Sequence, residues 1–180
     1  MPVWSKLLLI AAAAAVLVVF AWGGKGHFRS EKMPLGMIVI SVLSVLSFIA
    51  FAVSVLQMER SGWIALGLVL QALSLVLFIG AVRATRATRL TLIGDDDVPT
   101  FLVAGGPYKW VRHPFYVAYI IFWAGCAIIA QSFISVLALV VMTGLYIHAA
   151  RSEEAKFGQS ELADRYRRYQ QSTGFLWPKF

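Results

Sequence analysis

A single cysteine, Cys126, occurs among the 180 residues, and it sits inside an apolar run. No intramolecular disulfide and no cysteine-based metal cluster can therefore be built, and Cys126 reads as a small buried hydrophobe. Charge is scarce as well. Asp, Glu, Lys and Arg make up 14% of the chain against 59% hydrophobic residues, and the mean hydropathy is +0.75. Such a composition excludes an ordinary soluble domain of this size and marks a membrane protein. Acidic residues are fewest, 9 against 16 basic, leaving a net charge of +7. The basic residues stand in loops between apolar segments, where anionic lipid headgroups are closer partners than nucleic acid. The one acidic run, Asp95-Asp96-Asp97, lacks the alternating acids and later Glu of an EF-hand, so it reads as a solvated loop and no metal site is expected. Gly-rich nucleotide loops, Walker motifs, internal repeats and low-complexity linkers are all missing, and the chain is taken as one domain spanning 1–180.

What is abundant is long apolar sequence. Residues 3–22 are apolar apart from Ser5 and Lys6, and a helix of that length reaches about 30 Å, the thickness of a bilayer core. A secretory signal peptide is the competing reading of this stretch, since Lys6 precedes an alanine-rich core. Further apolar segments run over 35–56, 63–82, 115–130 and 133–150. Ser41, Ser44, Ser47 and Ser54 in the second are small residues suited to close helix packing. Gln71, in the middle of the third, is expected to hydrogen-bond within the bundle. Only Gln131-Ser132 separates the last two, which implies a tight hairpin that returns the chain to the same face.

If the loop after the third segment is cytoplasmic, only Lys6 and Arg60 of the 16 basic residues fall on the other side. The expectation is an all-α integral membrane protein with about five transmembrane helices, N-terminus outside and C-terminus cytoplasmic, in the inner membrane if the source is bacterial. The tail over 152–171 carries Ala155, Leu162, Tyr166 and Tyr169 on one stripe against Glu161, Asp164, Arg165, Arg167 and Arg168. That pattern predicts a C-terminal amphipathic helix on the cytoplasmic side, with Phe175, Trp177 and Phe180 at the interface.

The densest polar chemistry is Gly105-Gly106-Pro107-Tyr108-Lys109-Trp110-Val111-Arg112-His113-Pro114-Phe115-Tyr116. A residue before proline is pushed out of the helical region while proline itself suits a first helical turn, so a helix is predicted to start at His113-Pro114. Its free N–H groups beside Lys109, Arg112 and His113 would seat a carboxylate or phosphate. The pattern Gly106-Pro107-Tyr108-x-x-Val111-Arg112-His113-Pro114-x-Tyr116, with Arg151-x-Glu153-Glu154, Tyr166-x-x-Tyr169 and Trp177-Pro178 downstream, resembles the isoprenylcysteine carboxyl methyltransferase family and its phospholipid methyltransferase relatives. The resemblance covers about 98–180. The family's Phe-Gly pair is displaced: Phe157-Gly158 comes early, and Ala163-Asp164 stands nearer its place before the two tyrosines.

The resemblance implies an integral-membrane enzyme that uses S-adenosylmethionine, with the cofactor-binding part in about 98–180. Gly106, Pro107, Tyr108, Val111, Arg112, His113, Pro114, Tyr116, Arg151, Glu153, Glu154 and Tyr166 are the cofactor-binding candidates. In that reading Arg112 and the helix start hold the cofactor's carboxylate, and Glu153 or Glu154 accepts its ammonium or ribose hydroxyls. Tyr108, Tyr116, Tyr166 or Trp110 faces the adenine or the sulfonium. Glu154, Arg167 and Arg168 are the catalytic candidates, the arginines orienting an acceptor carboxylate and a glutamate or His113 serving as base should the acceptor be an amine. Each has a plainer reading: Arg151 and Glu154 can pair on a helix surface, and tyrosine and tryptophan suit a membrane interface. His27 and His148 are read as loop and helix-end residues. The expected acceptor is an amphiphilic, lipid-linked molecule, an isoprenylcysteine carboxylate first. A phospholipid amine, an NADPH-dependent reductase of the sterol type and a non-catalytic lipid-binding protein are the alternatives.

Overall fold

A computed structural model describes residues 1–24, 35–59, 62–85 and 99–179. Helices α1 (Val3–Gly24), α2 (Leu35–Gln57), α3 (Ile64–Thr85), α4 (Pro114–Ala130), α5 (Phe133–Gly158) and α6 (Ala163–Ser172) follow in order, with a 3₁₀ turn over Gly106–Lys109 between α3 and α4. The loop carrying Lys25, His27, Arg29 and Lys32, the pair Arg60-Ser61, and the stretch with Arg86, Arg89 and Asp95–Asp97 lie outside the described residues, as does Phe180.

Four helices, α1, α2, α3 and α5, are long and apolar enough to cross a membrane. The expected fourth span, α4, has 17 residues, so at 1.5 Å per residue it reaches only about 25 Å, shorter than a bilayer core. It is nonetheless the centre of the bundle. Gly67 of α3 and Gly125 of α4 allow the closest approach, since a Cβ on either would stand 2.7 Å from the other's carbonyl oxygen. Small residues at such crossings let membrane helices gain van der Waals contact that larger side chains would block. Beside the crossing, Gln71 donates to the Cys126 sulfur at 3.4 Å, so both polar groups of this buried layer are used internally. Phe20 packs on Phe78, Tyr119 and Phe122 with ring centroids 4.6, 5.0 and 5.6 Å apart, which ties α1 to α3 and α4.

The helix ends are closed by specific partners. The Met1 ammonium donates to the Glu59 carbonyl at 2.9 Å and Lys6 Nζ to that of Leu56 at 2.7 Å, placing two cations at the negative end of α2. Gln131 takes a left-handed conformation, φ 47°, and Ser132 caps α5 by accepting from the Ser135 N–H. The expected hairpin is thereby formed, and a Ser132–Ser54 hydroxyl bond of 2.8 Å ties it to α2.

The tail differs from the single helix expected over 152–171. Helix α5 runs eight residues past the apolar segment to Gly158, carrying Arg151, Glu153 and Glu154 on it, and the chain then turns before α6. The turn is set by Ser160, whose hydroxyl donates to the Phe157 carbonyl and accepts from the Leu162 N–H. Local side-chain bonds of this kind compete with helix continuation. After α6, Gly174 pairs with the motif as a short parallel bridge to Val111: Arg112 N–H donates to Gly174 O at 2.8 Å and Gly174 N–H to Trp110 O at 3.3 Å.

Candidate active site

Glycine chemistry seats the motif. Gly106 adopts φ +57°, which disfavours other residues, and Pro107 lies against Gly80, where a Cβ would stand 3.1 Å from its ring. The 3₁₀ turn is thus pressed onto the end of α3. Tyr108 is buried, and its backbone carbonyl accepts a 2.6 Å bond from the Tyr169 hydroxyl of α6. His113, φ −125° and ψ 61°, is the residue before α4, so the predicted helix start stands where expected.

The anion at that helix start is the protein's own pair of glutamates. Arg112 Nε donates to Glu154 Oε1 at 2.7 Å, and its Nη1 donates to the Thr173 carbonyl. His113 Nε2 lies 3.1 Å from Glu154 Oε1, and its Nδ1 lies 3.5 Å from Glu153 Oε2. Tyr166 donates to Glu154 at 3.0 Å and Gln170 at 3.2 Å, while the Tyr116 hydroxyl donates to Glu153. Glu154 therefore accepts from four side chains, whereas Glu153 has two partners and a side chain 30% exposed. Burial works against charge on His113, but the two carboxylates outweigh it and raise the imidazole above its usual 6.5. Both ring nitrogens of His113 are thus engaged by carboxylates that favour its protonated form. Burial first, then the negative Glu153, raises the Tyr108 phenol, and burial with Glu154 raises Tyr166, so both stay neutral donors.

A cavity of about 460 Å³ opens beside this cluster. Arg112, His113, Glu153, Lys156, Tyr108, Tyr166 and Tyr169 line one end, together with the segment 99–103. Leu17 and Phe20 of α1, Ile40 and Phe48 of α2, Tyr119 and Trp123 of α4 and Tyr146 of α5 line the other. Trp123 closes onto Tyr146 through a 3.2 Å hydrogen bond. Trp123 is nine residues into α4 from Pro114, so the apolar end reaches about 13 Å into the bundle.

The sequence-predicted residues separate accordingly. Tyr108, Arg112, His113, Tyr116, Glu153 and Tyr166 meet at the cavity; Gly106, Pro107, Val111 and Pro114 shape the backbone that places them. Glu154 does not line the cavity. It holds Arg112 and His113 in position from behind. Arg151 and Trp110 are exposed and away from it. Arg167 and Arg168 are also exposed and line nothing, because burying Tyr166 and Tyr169 turns the intervening positions of α6 to solvent; Arg167 pairs with Asp164 one turn back. Thr173 and Gly174 were not singled out in the sequence, and Phe175, expected at the membrane interface, packs edge-on to His113 at 5.2 Å with the Arg112 guanidinium 5.6 Å from its ring. Nothing in their spacing marks them, since they reach Arg112 across some 60 residues of chain.

A sequence profile of the phospholipid methyltransferase family matches residues 63–164, more than half of the chain. The chain belongs to that family. The match runs from α3 through the motif, α4 and α5 into the start of α6, so it contains both the arginine–histidine pair and the two glutamates. The protein is thus a methyltransferase of a membrane-embedded class, and methyltransferases of this family generally use S-adenosylmethionine. Comparison with curated proteins finds no match.

The donor set suits that cofactor. Glu153 offers a partly exposed carboxylate to an ammonium or a ribose diol, Arg112 offers a cation to a carboxylate, and Tyr108, Tyr166 and Tyr169 offer ring faces to an adenine or a sulfonium.

Proposed function

We propose that the cavity binds S-adenosylmethionine at its polar end and a lipid-linked acceptor at its apolar end, and that the acceptor is a carboxylate of the isoprenylcysteine type. The observation that carries this reading is one cavity lined both by the charged cluster of the motif, α5 and α6 and by apolar and aromatic side chains of α1, α2, α4 and α5. When bound, the cofactor supplies a sulfonium methyl group, an electrophile that asks chiefly for an aligned nucleophile and a dry site. Arg112, His113 and Glu153 orient the polar ligand; Phe48, Tyr119 and Trp123 exclude water and receive the tail. A carboxylate acceptor is already a nucleophile and needs no base, which agrees with a His113 whose two ring nitrogens are both turned to Glu153 and Glu154. The phospholipid-amine reading is favoured by the name of the matching family. In that case Glu153, the glutamate at the cavity wall, is the base.

The distribution of basic residues supports an N-terminus outside and a cytoplasmic C-terminus, with the site at the cytoplasmic face and α4 as a fifth crossing. A lipid tail entering from the bilayer then contributes about 0.8 kcal/mol per buried methylene, while the reactive head is merely aligned. Methylation of prenylcysteine acceptors with successively shorter tails tests this: kcat/KM should fall about tenfold for every 1.4 kcal/mol of lost burial. Equal rates on tail-less, water-soluble analogues would refute it.

A further inference from the structure

Three cationic side chains line the cavity, and two of them are committed to the glutamates. Arg112 is tied to Glu154 and to the Thr173 carbonyl, and His113 lies between Glu153 and Glu154. The third is Lys156. It is half-buried on α5, one helical turn beyond Glu153 and on the same face, and it makes no ion pair among the described residues.

Charge balance gives this lysine a task. Arg112 and Lys156 face Glu153 and Glu154, a balance to which His113, in the protonated form its two carboxylate neighbours favour, adds positive charge. S-adenosylmethionine, with a sulfonium, an ammonium and a carboxylate, brings a further net positive charge to the same space. Uncompensated positive charge beside an apolar wall attracts an anion strongly, because low-dielectric surroundings weaken screening. A half-buried ammonium lacking a carboxylate partner regains in such a complex the charge-assisted bond that burial withholds. The plainer role for Lys156, a cation in the last turn of α5 that complements the helix dipole, requires no place at the cavity.

We propose that Lys156 anchors the anionic oxygen headgroup of the acceptor, a carboxylate or a phosphate, and is thereby a specificity-determining residue. The proposal rests on the reading of the cavity as a methyl-transfer site. Lys156 lies ten residues, about 15 Å, along α5 from Tyr146, so an acceptor held at the lysine by its head extends its tail past Tyr119 toward Trp123. Lipids of like tail and neutral head lose only the anchor.

The test uses the full-length protein in nanodiscs, loaded with S-adenosylhomocysteine. Binding is measured for N-acetyl-S-farnesylcysteine against its uncharged carboxamide, and for dioleoyl phosphatidic acid against dioleoylglycerol, with wild type, Lys156→Met and Lys156→Arg. Lys156→Met is expected to weaken one or both anionic probes by about tenfold to a hundredfold, the range for a lost charge-assisted bond. Its affinity for the neutral counterparts and for S-adenosylhomocysteine should be unchanged, and Lys156→Arg should restore most of the anionic binding. The anionic probe that responds identifies carboxylate or phosphate as the headgroup. Undiminished binding of both anionic probes by Lys156→Met overturns the proposal. So does an equal loss for charged and neutral probes, and so does a loss confined to S-adenosylhomocysteine, which would assign Lys156 to the cofactor. Failure of the wild type to bind S-adenosylhomocysteine overturns the methyltransferase reading itself.

Discussion

Replacing each glutamate of the pair by its amide should produce two different defects. Glu154 accepts from Arg112, His113, Tyr166 and Gln170, and its side chain is 17% exposed beside partners at 11% and 7%. In Glu154→Gln the shape persists, but the buried Arg112 and His113 lose the carboxylate they share. Removing one partner of a buried pair costs about 3–5 kcal/mol, and the partial exposure here lowers that to roughly 2–4 kcal/mol. For a chain of this size a loss of about 3 kcal/mol lowers Tm by roughly 6–12 °C. Glu153 has two partners and a more open position at the cavity wall. Glu153→Gln should therefore melt within about 1 kcal/mol of wild type but bind S-adenosylhomocysteine about tenfold to a hundredfold more weakly, through the lost charge-assisted bond. The assay is a thermal melt of detergent-purified protein, with and without S-adenosylhomocysteine, paired with a binding isotherm for each variant. If Glu153→Gln proves the unstable one while Glu154→Gln melts normally and loses ligand, the division of labour between the two carboxylates is wrong.

Three further outcomes are expected. Cofactor affinity and melting temperature should be highest between about pH 4.5 and 6.5, falling below that window as Glu154 is protonated and declining above it as pH climbs through the raised His113 value, because a group whose folded pKa is raised stabilises only while protonated; a His113→Gln variant with the same pH profile would show that another group is responsible. Gly174→Ala should free the C-terminal segment and weaken cofactor binding, since the new Cβ would stand 1.6 Å from the Trp177 carbonyl oxygen, and limited proteolysis with an intact tail would argue otherwise. A cysteine at Gly62 should react with an impermeant thiol reagent from outside intact cells and one at Asp96 should not, against the low background of a buried Cys126; the reverse labelling would invert the orientation.

Hydropathy made the apolar helices visible, and His113-Pro114 marked the start of α4 because proline chemistry is local. The end of α5 was hidden for the opposite reason: Arg151 to Phe157 is polar enough to read as tail, yet the helix continues under tertiary contacts between Phe157 and Tyr166, whose rings stack 4.3 Å apart. Glu153 and Lys156 share a helical face in the expected tail helix as in α5, and only the packing of α5 brings both to the cavity. The unequal roles of Glu153 and Glu154 were equally illegible, since adjacent residues on a helix point about 100° apart and only the packing says which one faces the cavity. Arg167 and Arg168 are cations suited by charge to orient an acceptor carboxylate, but charge alone does not tell which face of α6 they take. Their neighbours Tyr166 and Tyr169 occupy the buried stripe, which leaves both arginines in water.

The most direct measurement is equilibrium binding of S-adenosylhomocysteine and of NADPH to the purified protein in detergent, with Glu153→Gln alongside. S-adenosylhomocysteine should bind saturably to the wild type and about tenfold to a hundredfold more weakly to the variant, with no saturable binding of NADPH. Saturable NADPH binding without S-adenosylhomocysteine binding would contradict the methyltransferase assignment of this cavity, and binding of neither would leave it a lipid site.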